Sequence, residues 1–73
     1  MRDIMEQMIR EFENVLSKYN DNQMKGINAA IEFIVGKYSK IATDAICPYI
    51  SKRIGIAEWI VHGDIMQRYK RKR

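Results

Sequence analysis

Apolar residues recur along this chain at intervals of three and four, the spacing that lines one face of an α-helix. Nowhere do they settle into the alternation of a half-buried strand. The clearest run is Ile4, Met5, Met8, Ile9, Phe12, Val15, Leu16 and Tyr19, with Arg2, Glu6, Arg10, Glu13 and Asn14 on the other side. Tyr19-Asn20-Asp21-Asn22 interrupts it, and Asp21 or Asn22 is expected to cap the next helix, because a short oxygen-bearing side chain can accept from the free N–H groups of a helix start. A second helix is predicted over residues 23–38, with Met24, Ile27, Ala30, Ile31, Ile34 and Tyr38 on one face and Phe33 and Val35 widening it.

Pro48 governs the third region, since proline lacks the N–H of a helix interior and clashes with the preceding turn. Either a short helix over residues 41–46 breaks and a new one starts at Pro48, or one longer helix kinks there. A last helix is predicted over residues 57–69, with Trp59, Ile60, Ile65, Met66 and Tyr69 as its larger apolar members. Gly63 in its interior costs about 1 kcal/mol relative to alanine, which points to a close approach at that position. The expected architecture is all-α, a bundle of about four helices in one domain over residues 1–73, with a basic tail at 68–73.

Seventy-three residues with 47% hydrophobic and 30% charged residues suit a folded chain, but so small a core is marginal without a staple or a partner subunit. The single cysteine, Cys47, can form neither an intrachain disulfide nor a zinc site alone, so no metal or cofactor is expected and a reducing, cytoplasmic setting is. No apolar run approaches the length that spans a membrane, and no membrane partner is expected. A homodimer is, with Ile4, Met8, Phe12, Val15 and Leu16 of the first helix as its interface.

Charge is uneven. The first forty residues carry six Lys/Arg and six Asp/Glu, whereas residues 41–73 carry seven and three, so the whole net charge of +4 lies in the second part. Arg68, Lys70, Arg71, Lys72 and Arg73 crowd the end, a density suited to phosphate backbones.

Residues 48–61, Pro-Tyr-Ile-Ser-Lys-Arg-Ile-Gly-Ile-Ala-Glu-Trp-Ile-Val, resemble the core of a helix-turn-helix DNA-binding motif, in which a tight turn joins two helices and the second lies in the major groove. Ser51 is small where the helices would cross, Gly55 permits the turn, and Ile50, Ile54, Ile56 and Val61 could fill the core. The resemblance covers about a fifth of the chain and implies an α-helical pair at its C-terminal end. Asp64 stands where the family's pattern has an apolar residue. The face that would meet bases, Ala57, Glu58, Trp59, His62 and Gly63, has no side chain for a bidentate base contact.

His62 has no neighbour in sequence that would complete a catalytic set. Cys47 reads as a small buried hydrophobe, and the glycines are too scattered for a phosphate loop. No enzymatic activity is expected. The leading expectation is a small, dimeric DNA-binding regulator that contacts duplex DNA through Glu58, Trp59, His62, Gln67, Arg68, Lys70, Arg71, Lys72 and Arg73. The alternative is a helical module that binds and modulates another protein, with Trp59, His62 and Tyr69 as an aromatic contact surface.

Overall fold

Three of the helix starts are fixed by polar side chains. Asp3 accepts from the Met5 N–H, Asn22 from the Lys25 N–H and Ser39 from the Ala42 N–H. Each satisfies one of the donors that a helix start leaves free. The computed structural model describes residues 3–71. Among them run α1 (Ile4–Ser17), α2 (Gln23–Lys37), α3 (Lys40–Ala45), α4 (Cys47–Ile54) and α5 (Glu58–Arg71), with no strand.

Of the two arrangements expected around Pro48, the broken one is found, with α3 and α4 as separate helices. Ile46 leaves the helical conformation and Pro48 falls in the first turn of α4, where its missing N–H costs no hydrogen bond. Gly55 then ends α4 in the left-handed conformation at φ 74°, which an L side chain adopts only under strain.

α1 and α2 form an antiparallel hairpin that closes tightly at its turn. A Cβ added at Gly26 would stand 2.9 Å from Tyr19 Cβ, so only glycine lets α2 start this close to the end of α1. The core joins Met8 and Phe12 of α1 to Ala30, Ile31, Ile34 and Val35 of α2. Tyr38, Ile46, Cys47 and Ile50 close one end of it, and Val61 and Ile65 of α5 close another. Phe12 meets Tyr49 edge to face at 6.3 Å.

Thr43 is fully buried, and its hydroxyl lies 2.7 Å from that of Tyr69, which donates to the Tyr38 carbonyl at 2.9 Å. One hydrogen-bonded line thus ties α3, α5 and the end of α2. On the outer side of α1, Glu11 accepts from Lys37 and from the Tyr38 hydroxyl, and Glu13 accepts from Arg53 and from the Tyr49 hydroxyl.

This packing corrects two expectations. Met8 and Phe12 are 0% exposed and cannot form an interface with a second chain, because α2 and α4 already cover them. Val15 and Leu16 are half-buried against the same core, which leaves Ile4 as the one clearly exposed member of the expected dimer surface. Gly63, expected to mark a close approach, meets nothing of its own chain: a Cβ there would have no neighbour within 4 Å.

Candidate functional site

α5 decides what the surface can offer. Its inward stripe is Val61, Ile65 and Arg68, spaced by four and three, so the arginine takes the place of a third core residue. The Arg68 side chain is 8% exposed. Nε donates to Asp64 Oδ2 at 2.8 Å, one terminal nitrogen to Glu32 Oε2 at 2.9 Å and the other to Asn28 Oδ1 at 2.8 Å. The planar guanidinium therefore spans α2 and α5 with each of its nitrogens engaged. Arg68 belongs to the frame and is withdrawn from the nucleic-acid contacts expected of it.

The other expected contact residues divide. Glu58, Trp59, His62, Gln67, Lys70 and Arg71 are exposed along α5. Lys70 and Arg71 lie in its last helical turn and not in an extended tail. Lys72 and Arg73 lie outside the described residues.

A groove that the sequence reading did not anticipate runs between α2 and the α4–α5 corner. It holds about 280 Å³ and is lined by Met24, Ile27, Asn28 and Ile31 from α2, by Ile54 and Ile56, and by Ile60, Val61, Asp64 and Arg68 from α5. Met24 is 75% exposed and Ile60 45%, an open apolar wall and floor instead of a sealed core. The turn builds one end of it: Ser51 donates to the Ile56 carbonyl, and the Ile56 N–H returns to the Ser51 carbonyl at 3.2 Å, so Ile56 is held at the rim. The charged groups of the floor, Asp64 and Arg68, are paired with each other and with Glu32.

On the opposite flank of α5, a shallower hollow is lined by Asp44, Cys47, Glu58, Trp59 and His62. Asp44 Oδ2 accepts from Lys40 Nζ at 3.1 Å. Its Oδ1 is buried with no hydrogen-bond partner among the described residues and lies 3.8 Å from His62 Nε2. Burial pushes the Cys47 thiol up, and the Glu58 and Asp44 carboxylates push it further, so the thiolate that nucleophilic chemistry needs is disfavoured. Trp59, 77% exposed, stands at the mouth of this hollow.

No three His, Cys, Asp or Glu side chains among the described residues converge as a metal set. No helix among them is long and apolar enough to cross a membrane. No model of a known protein family, no curated protein and no solved structure matches the chain.

Proposed function

We propose that the chain is a helical interaction module whose α2–α5 groove takes the apolar face of an amphipathic helix from a partner protein. The observation that carries this reading is the exposed wall of Met24, Ile56 and Ile60 over a floor of Ile27, Ile31 and Ile54. Groove recognition of this kind uses apolar anchors at helical spacing. The two ionic groups that line the groove, Asp64 and Arg68, pair with each other, so the groove presents shape and apolar surface with little net charge of its own, which fits an apolar anchor better than a phosphate or a carboxylate.

The test is a selection of helical peptides against the full chain from a random library, with each selected peptide re-measured on variants. Selected peptides should carry apolar residues three or four apart, and Ile60→Glu or Met24→Glu should weaken them at least about tenfold, a loss of about 1.4 kcal/mol. Peptides without that spacing, or indifferent to both substitutions, would remove the groove from the account.

A second reading, duplex DNA, is favoured by one arrangement. α4 and α5 are joined by the short turn Gly55-Ile56-Ala57, with Lys70 and Arg71 on the C-terminal turn of the second helix. It ranks below the first because Arg68 is engaged internally and α5 opens with Glu58, whose carboxylate would face phosphates. An electrophoretic shift with random duplex separates the two, since DNA binding should fall steeply with salt and peptide binding should not.

A further inference from the structure

Turned away from Val61 and Ile65, α5 carries Trp59, His62, Gly63, Met66 and Lys70 at spacings of three, one, three and four. All are exposed except the half-buried Met66. Two features of this face have no explanation among the described residues. Glycine is the poorest helix former after proline, yet a Cβ at Gly63 would meet nothing within 4 Å. The face is also polar end to end: Glu58 and, from α3, Asp44 flank Trp59 and His62 at the start of α5, while Lys70 stands at its far end. Asp44 is already held within the chain, its Oδ2 by Lys40 and its buried Oδ1 3.8 Å from His62, so Glu58 is the acidic group this end offers to a partner.

Trp59 and Lys70 are eleven residues apart, about 16 Å along a helix, and are symmetric about a point between Asp64 and Ile65. Gly63 and Met66 straddle the same point. We propose that α5 packs antiparallel against α5 of a second copy of this chain. Each Lys70 then lies over the Trp59 ring of the other copy and beside its Glu58 carboxylate, and each Met66 fills the space over the other copy's Gly63.

The occupant is a second copy because the two ends of the face complement each other in charge, and only the antiparallel arrangement brings unlike ends together twice across one dyad. An ammonium over an indole and next to a carboxylate is favoured by both the ring quadrupole and simple attraction. The contact is small, so the dimer is weak and salt-sensitive. It leaves the α2–α5 groove open, and it takes the exposed face of α5 out of reach of a DNA groove.

Sedimentation of the full chain tests this. Wild type should self-associate at low salt and separate as salt rises, and Lys70→Glu should weaken association about tenfold or more. Gly63→Gln should raise the thermal midpoint of the monomer, since glutamine is the better helix former, while weakening the dimer, a split that a glycine with a merely structural role would not give. Gly63→Cys mixed with Met66→Cys should oxidise to a cross-linked dimer, with Lys25→Cys as the silent control on α2. Met24→Glu, which blocks the groove, should leave self-association unchanged. A wild type that stays monomeric at millimolar concentration and low salt overturns the proposal. So does a dimer indifferent to Lys70→Glu and Gly63→Gln, or one that does not cross-link through positions 63 and 66.

Discussion

Arg68 on α5 and Glu32 on α2 meet at 2.9 Å with the arginine buried and the glutamate 54% exposed, so the chain's most basic segment begins with a residue committed to holding two helices together. Removing it breaks charge-assisted hydrogen bonds to Glu32, Asp64 and Asn28. Both carboxylates can rehydrate, however, which keeps the loss below that of a fully buried pair. Arg68→Ala should cost about 2 kcal/mol, a fall of about 10 °C in Tm for a domain of this size. A change within the scatter of ordinary surface substitutions in thermal unfolding would return Arg68 to the solvated tail.

Glycines at two places should respond with opposite signs. Gly26→Ala forces a Cβ against Tyr19 Cβ and should cost about 1–3 kcal/mol as an overpacked contact. Gly36→Ala meets nothing within 4 Å and should stabilise α2 by up to about 1 kcal/mol. Denaturant midpoints of the two variants check this directly, and equal signs would mean that the α1–α2 turn is looser than described.

Acid should loosen the outer side of α1. The Lys37 ammonium and then the Tyr38 hydroxyl hold Glu11 below its ordinary value of 4.5 against the opposing effect of burial. At Glu13 burial is the largest influence and works upward, but the Tyr49 hydroxyl and Arg53 together outweigh it, and the net shift is again downward. Because both carboxylates titrate lower folded than unfolded, their contribution is present above the unfolded value and is lost as pH falls below about 4.5 and through the folded values. Glu11→Gln with Glu13→Gln should therefore flatten the acid limb of stability below the ordinary carboxylate value of 4.5 while lowering the plateau at neutral pH. An acid limb as steep as wild type would show that other groups control it.

Met8→Glu should unfold the chain and not release a folded monomer, because the side chain is fully enclosed by its own fold. Met8→Ala should cost about 2–5 kcal/mol through the cavity it leaves. Circular dichroism and sedimentation on the same samples distinguish the outcomes: a folded Met8→Glu monomer would place Met8 at an interface after all.

Much of the helical order is legible in the sequence. The three-and-four spacing marks α1, α2 and α5, the pair Asp21-Asn22 marks the start of α2, where Asn22 proves to be the cap, and Gly55 marks the end of α4, because caps and periodicity are local properties. What covers a stripe is not local. Met8 and Phe12 present the same pattern whether α2 or a second chain lies over them, and only the tertiary arrangement decides.

Arg68 was concealed by company: among Lys70, Arg71, Lys72 and Arg73 it reads as one more solvated cation, although its place in the stripe after Val61 and Ile65 marks it as inward-facing. The groove was harder still. It joins Met24 and Ile27 to Ile54, Ile56 and Ile60 across up to about half the sequence, and no spacing rule links residues on separate helices.

Isoleucine-methyl NMR of the full chain, titrated with a selected amphipathic peptide and separately with random duplex DNA, shows whether the groove takes a helix, because isoleucines stand both in the groove and away from it. The methyls of Ile27, Ile31, Ile54, Ile56 and Ile60 should move with the peptide, while Ile4 and Ile41, exposed elsewhere on the fold, stay still. Peptide shifts centred on Ile4 or Ile41 would contradict helix binding in the groove, as would a duplex that saturates the groove methyls while every peptide leaves them unmoved.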